Sequence, residues 1–562
     1  MHRRTLTGTV ATAVVAVVTG LLSPAAAIAA PADSSAPSGA AASAAAAAEA
    51  AHHPGSGPGY IPPPIEWGTC ASARMQAAGA RCGLLTVPLD YAHPGGATIK
   101  IGVSQIKHKT SDAAYQGIML VNPGGPGGSG LNLARLGEFV PNNAGDPYDW
   151  IGFDPRGVGT SQPQLACDGD YFGYNRPDYV PWNRGLERTW LTKAAGYAKA
   201  CDTVGGALLD HMKTTDWVLD MESIRTAFGE RQINFYGFSY GTYLGQVYAT
   251  MFPQRVRRMV WDGVVNWRDV WYEANLNQDV AFDRNMGIYF QWLADHDAVY
   301  HLGTTGAAVK ARWYDMLAKT RQAPLGGKIG PDEWTDAFLQ AGYYVYGWED
   351  VANAFVAAVA GDYGPVTDLY DGANGAGPGS DNTYAVYNAV QCTDVQWPLR
   401  WERWRADNWR VYRKAPFETW GNAWYNAPCR TWGARAARQA PEVGSRAVPP
   451  ILLIEETNDA ATPYPGALQA RRSFPSAVLI EGVGGTTHAG SLSGVSCTDD
   501  RIAAYLLTGA LDARSPGNHS DVQCDPVPAP DPLPTARRAA PAGPGAGLDD
   551  ELRGLLATAQ RR

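Results

Sequence analysis

The chain has 562 residues, with 46 Lys and Arg against 54 Asp and Glu and a formal charge of −8 at pH 7. A surface of that sign repels nucleic acid, and no basic run or aromatic RNA-binding motif offsets it, so no nucleic-acid partner is expected. The length exceeds that of an ordinary single domain, which points to a core carrying a large insertion.

The first element in chain order is an export signal at residues 1–29. Arg3 and Arg4 precede an apolar run over residues 9–22, and small residues follow at Ala27 and Ala29. That run is shorter than the roughly 20 residues a spanning helix needs, and no other stretch approaches that length. A secreted, extracellular protein without a membrane partner is the expectation; the arginine pair leaves both the general and the twin-arginine export routes open. Residues 30–56 are almost all Ala, Pro, Ser, Gly and His, too poor in large apolar side chains to build a core, and read as a linker or propeptide. A Pro/Ala-rich tail is expected over residues 525–562.

Eight cysteines follow the signal, and an even count in an exported chain reads as disulfides. Their order along the chain falls into near neighbours, giving the expected pairs Cys70 with Cys82, Cys167 with Cys201, Cys392 with Cys429, and Cys497 with Cys524. No CxxC or HExxH spacing competes with that reading, so neither a metal nor an organic cofactor is expected.

Residues 118–121 form a short apolar strand that runs into Asn122-Pro123-Gly124-Gly125-Pro126-Gly127-Gly128-Ser129-Gly130. Residues 148–159 add another strand ending in a turn, with Asp154 and Arg156 read as braces for the loops. The sharpest signal is the strand at residues 233–236 followed by Gly237-Phe238-Ser239-Tyr240-Gly241 and a helical run. This is the GxSxG elbow: the serine sits at a strained strand-to-helix turn, and glycines two positions away on either side leave room for the neighbouring strand and helix. It predicts an α/β-hydrolase fold with a mostly parallel central sheet and Ser239 as the nucleophile of an acyl transfer. The oxyanion donors expected for such an elbow are the backbone N–H groups of Tyr240 and of Gly125, with Gly124 as the neighbouring alternative.

In this fold the acid and then the histidine follow the serine, each at the carboxyl end of a strand. Of the two histidines late enough in the chain, His488 follows the strand-like residues 477–480 in a Gly-rich loop, and His519 lies near the tail; His488 is preferred. The apolar residues 451–454 lead to Glu455, Glu456 and Asp459, and Asp459 is the expected acid, since the two glutamates lie closer to the strand. The hydrolase core is thus expected over residues 57–266 and 441–524, with a mainly helical cap at residues 267–440 between nucleophile and acid. That insertion holds 13 of the 19 tryptophans, a density that suits cap packing more than a cleft wall.

Together these blocks resemble the bacterial tripeptidyl aminopeptidases and, more distantly, the proline iminopeptidases. The resemblance covers residues 122–130, 153–161, 214–241, 257–265 and 459–463, and continues into the insertion at residues 272–282, 298–303 and 392–394. It departs at Asn122-Pro123, where iminopeptidases carry a histidine before Gly-Gly-Pro-Gly, and at Thr487, where many relatives have glycine or serine. The resemblance implies a monomeric serine exopeptidase acting on peptides or proteins with free N-termini. Such an enzyme needs carboxylates for the substrate's α-ammonium group, and the candidates are Asp394 and Glu273 in the insertion and Glu456 in the core. An esterase or lipase with the same triad, and an iminopeptidase releasing one residue, remain open alternatives. A non-catalytic binding module on the same fold would have lost part of the triad, and here all three positions are filled.

Overall fold

The computed structural model describes residues 60–532; the expected signal at residues 1–29, the Ala-rich segment at residues 30–56 and the tail beyond residue 532 lie outside the described residues. Strands β1 (Glu66–Thr69), β2 (Arg81–Pro88) and β3 (Thr98–Ile106) form an antiparallel edge that joins β5 (Asp149–Asp154). Beyond β5 the sheet is parallel, through β4 (Ile118–Asn122), β6 (Ile233–Phe238), β7 (Val256–Asp262), β8 (Leu452–Glu456), β9 (Val478–Gly482) and β10 (Val522–Cys524). Parallel strands are covered on both faces, and every residue of β4, β6, β8 and β9 is accordingly buried. Ile118 and Leu120 of β4 enter one apolar cluster, while Met119 and Val121 enter the cluster on the opposite face, as the period of two along a strand requires.

The sheet order places β4 between β5 and β6. The chain therefore leaves β4 toward one side and leaves β6 toward the other, opening a crevice at their carboxyl ends where ligands of open α/β sheets bind. Asn122 pairs with Gly237, so the Gly-rich loop after β4 and the elbow after β6 emerge side by side.

Between β7 and β8 the described chain adds no strand to the sheet. Its helices run from Tyr272–Asp295 to Thr419–Asn426. The buried side chains of this insertion divide between two apolar clusters. Phe282, Trp313, Trp334, Phe338 and Phe355 build a separate core in its first half. In the second half, Trp401, Trp404, Trp420 and Trp424 join the cluster that covers one face of the sheet. Trp424 stacks on Trp190 of the helix Arg184–Gly205 at 5.7 Å, so a segment that precedes the elbow in sequence becomes part of the same wall.

The four cysteine pairs are bonded as neighbour order suggested, and no cysteine is free among the described residues. The start of the expected tail is docked instead: Val527 is buried in the insertion's first core, and Trp292 Nε1 donates to the Pro530 carbonyl at 3.0 Å. Large apolar surface on the insertion recruits a segment whose composition by itself has little reason to order.

Candidate active site

Ser239 sits between β6 and the helix Tyr240–Met251 with φ 57° and ψ −127°, a backbone conformation costing a non-glycine residue about 1–3 kcal/mol. Its surroundings hold it there. The Ser239 N–H donates to the Asp262 carbonyl at 2.9 Å, and Thr242 donates back to the Ser239 carbonyl through its backbone N–H at 2.8 Å and its hydroxyl at 2.6 Å. A Cβ on Gly237 would lie 2.6 Å from the Gly241 carbonyl, and one on Gly241 would lie 2.7 Å from the Asn122 carbonyl. The elbow therefore needs both glycines for close approach.

The loop after β4 presses on the elbow from the other side. Gly124 has φ +97°, and a Cβ there would fall 2.6 Å from the Phe238 carbonyl and 2.8 Å from Ser239 Cβ. Its N–H donates to Asn122 Oδ1 at 3.0 Å, so Gly124, the alternative oxyanion donor, is already committed. Gly125 and Tyr240 both line the cavity over Ser239. Tyr240 opens a helix, where backbone N–H groups lack intrahelical partners and carry a partial positive charge. Asp154, at the end of β5, accepts from Ser129 Oγ at 2.6 Å and from Gly130 N at 3.1 Å, tying down the far end of the Gly-rich loop. Arg156 is fully buried and bidentate to Asp220, bracing the turn that follows.

Asp459 and His488 arrive on loops after β8 and β9 and meet at 2.6 Å, Oδ2 to Nδ1, both almost completely buried. The carboxylate acceptor assigns the proton to Nδ1 and leaves Nε2 as an acceptor. Nε2 is buried, has no hydrogen-bond partner among the described residues, and belongs to a ring that lines the same cavity as Ser239. Thr462, which the sequence reading passed over, completes the arrangement. Its N–H donates to Asp459 Oδ1 at 2.9 Å and its hydroxyl to Oδ2 at 3.0 Å. The signal was present in the three-residue spacing from Asp459, typical of local side-chain turns.

Two further acids surround this pair. Asp262, at the end of β7, accepts from the Ser491 N–H at 2.8 Å and is pushed up to about 6, chiefly by burial. Glu455 accepts from the Val264 N–H at 2.6 Å, and burial together with the adjacent Asp459 carboxylate pushes it well above the usual range. His519 lies elsewhere, its Nδ1 against the Ser520 carbonyl at 2.7 Å.

The insertion holds the histidine loop directly. The His488 N–H donates to the Tyr343 carbonyl at 2.8 Å, Thr487 Oγ1 accepts from Val345 N at 3.2 Å, and the Tyr343 ring lies 5.8 Å from the imidazole. The cavity between core and insertion has a volume of about 490 Å³. Of the insertion's tryptophans only Trp271 lines it; the others described lie in packing or at the surface.

The chain matches the family model for the α/β-hydrolase fold over residues 117–324 and that described as TAP-like protein over residues 415–524. It is 41% identical over 479 residues to the tripeptidyl aminopeptidase of Streptomyces coelicolor, covering 83% of this chain and 87% of that one. The same name belongs to a Streptomyces lividans protein, also 41% identical over 83% of this chain and 88% of the relative. The chain belongs to the tripeptidyl aminopeptidase family. It is a serine hydrolase of the α/β fold. Serine protease Hip1 of Mycobacterium tuberculosis is 29% identical, over 79% of this chain and 89% of its own length.

Within this family member, the three carboxylates expected to meet a substrate amine stand elsewhere. Asp394 is buried outside the cavity wall, where it accepts from Thr214 N at 2.6 Å, Thr214 Oγ1 at 2.7 Å and Trp271 Nε1 at 3.1 Å. Burial pushes it up to about 6. Glu456 spends one oxygen on Thr487 N at 2.6 Å and the other on Val527 N at 2.7 Å, stapling the histidine loop to the docked segment at residue 527. Burial pushes it up to about 8. Glu273 is on the surface, 2.9 Å from Arg403. None of the three lines the cavity over Ser239.

Proposed function

We propose that this enzyme is a secreted exopeptidase that releases tripeptides from free N-termini through an acyl-enzyme on Ser239. Ser239 Oγ attacks the scissile carbonyl while His488 Nε2 takes its proton, and Asp459 accepts from Nδ1–H and stabilises the imidazolium. The N–H groups of Gly125 and Tyr240 receive the oxyanion. The imidazolium then protonates the leaving amine, and a water molecule, deprotonated by His488, hydrolyses the ester to free peptide and serine. The observation that carries this reading is the buried His488 with Nδ1 committed to Asp459 and Nε2 unpartnered beside the Ser239 cavity. Peptide or protein substrates follow from the family, and four disulfides, together with no described helix long and apolar enough to cross a membrane, support an extracellular site of action.

A second reading has one specific observation behind it. A Mycobacterium tuberculosis relative named Carboxylesterase B is 29% identical over 82% of this chain and 91% of its own length. The two readings separate in one assay of chromogenic mono-, di- and tripeptide amides, with free or blocked amino termini, beside a short acyl ester. Fast release from free tripeptide amides is expected. Equal cleavage of blocked and free tripeptides, or turnover of the ester alone, overturns the exopeptidase reading. Recovery of the mature chain from the medium, with its N-terminus beyond residue 29, tests export.

A further inference from the structure

An exopeptidase that counts residues from the N-terminus must hold an α-ammonium group at a fixed distance from its nucleophile. A carboxylate does this best, because an ammonium taken out of water needs an opposite charge to offset its lost hydration. Among the described residues that line the cavity over Ser239, Asp269 is the one carboxylate; the other charged side chains in the wall are Arg284 and Lys414, both cations. Arg284 is turned toward the carbonyls of Asn458 and Asp459.

Asp269 is built to be held and to remain open on one side. It stands seven residues beyond the end of β7, on a loop at the carboxyl edge of the sheet. Its Oδ2 accepts from Asn266 Nδ2 at 2.8 Å and Asn277 Nδ2 at 3.1 Å. Its backbone N–H donates to the Asn266 carbonyl at 3.1 Å, and its carbonyl accepts from Ala274 N at 2.9 Å, so loop and the helix Tyr272–Asp295 lock it from both ends. Two amide donors on one oxygen orient the carboxylate without neutralising it, and no described residue donates to Oδ1. Asn266 and Asn277 line the same cavity. Such a carboxylate, half-buried on the cavity wall and without an ion-pair partner among the described residues, is suited to receive a cationic group.

We infer that Asp269 is the anchor for the substrate's α-ammonium group, its free Oδ1 receiving the amine while Asn266 and Asn277 hold Oδ2. The inference rests on the exopeptidase reading above and names the residue that makes it selective for free N-termini. An ammonium so held projects the following peptide along the cavity toward Ser239, and a longer chain on the amino side has no charge to offer Asp269. Sequence reasoning missed this residue although it lies in the expected insertion, because the distinguishing feature, an oxygen left over after folding, depends on donors that no local pattern reveals.

The test compares kcat/KM for one tripeptide p-nitroanilide with a free amine and the same compound N-acetylated, in wild-type enzyme and Asp269→Asn. The wild type is expected to prefer the free amine, and D269N to lose at least tenfold of that preference, mainly through a raised KM. Asp269→Glu keeps the charge and is expected to retain more of the preference than D269N. Asn277→Ala, which removes one orienting donor, gives a smaller loss in the same direction and carries the test should D269N fail to fold. A preference that survives both D269N and N277A overturns the anchor alone, as does an equal loss on both substrates. A wild type without any preference overturns the exopeptidase reading, and the anchor with it.

Discussion

At the carboxyl edge of the sheet there is no room for one added carbon: a Cβ on Gly124 would meet the Phe238 carbonyl at 2.6 Å, and one on Gly237 the Gly241 carbonyl at the same distance. In the insertion, by contrast, large rings meet one another in many orientations, Trp334 with Phe338 at 4.7 Å and 43°, Trp313 with Phe338 at 5.8 Å and 82°. The core specifies positions by exclusion and by backbone hydrogen bonds, which have steep distance dependence. The insertion specifies them by burying area, which is tolerant of angle. His488 belongs to both, since its ring is held by Asp459 of the core and its backbone by Tyr343 of the insertion. The lesson is that backbone geometry is demanded most strictly of the sheet edge, while the insertion supplies stability, a clamp on the histidine loop and part of the cavity wall.

That contrast is open to direct attack. The largest effect is expected from Asp459→Asn, which removes the acceptor that selects the histidine tautomer and should lower kcat by about 10⁴ with little change in thermal midpoint. A loss below tenfold would move the acid to Glu455 or Asp262. Gly124→Ala should follow, lowering kcat by on the order of 10²–10³ because the displaced loop shifts the oxyanion donors; unchanged turnover would show the loop to be more forgiving than its contacts. Trp334→Ala, in the insertion, reverses the pattern. It should cost about 3–5 kcal/mol of stability, read by denaturant unfolding, while kcat of the folded fraction falls far less than in the glycine variant.

The smallest effect concerns pH. Glu456, raised to about 8, and Asp262 and Asp394, raised to about 6, bind their protons more tightly in the folded state than in the unfolded one. Each therefore favours folding fully at low pH, and that contribution is lost as pH rises through the folded value. The thermal midpoint should decline from about pH 5 to about pH 8, and Glu456→Gln should flatten the part above about pH 6. A midpoint that rises over that window, or an E456Q slope equal to the wild type, would contradict the assignment.

Much of this site was legible before folding because its demands are local. Ser239 needs glycines two positions away, and the strand and helix around it are periodic runs in the same short segment. Asp459 and His488 were picked out by chain order and by the loops that follow apolar strands. Near-neighbour cysteines close short loops, which is why their pairing could be read from spacing. Thr462 could have been found the same way, from its distance to Asp459.

What the sequence by itself determined is the elbow, the chain order of Ser239, Asp459 and His488, and the disulfide pattern, all properties of residues close in the chain or ranked along it. Only the tertiary structure decided which acids are spent and which is left over. Asp394 accepts from Thr214, 180 positions away, and Glu456 from Val527, 71 positions away, whereas Asp269 lines the cavity with both its amide donors on Oδ2. A carboxylate's availability depends on every donor that folding brings to it, and those donors come from parts of the chain that no local pattern connects.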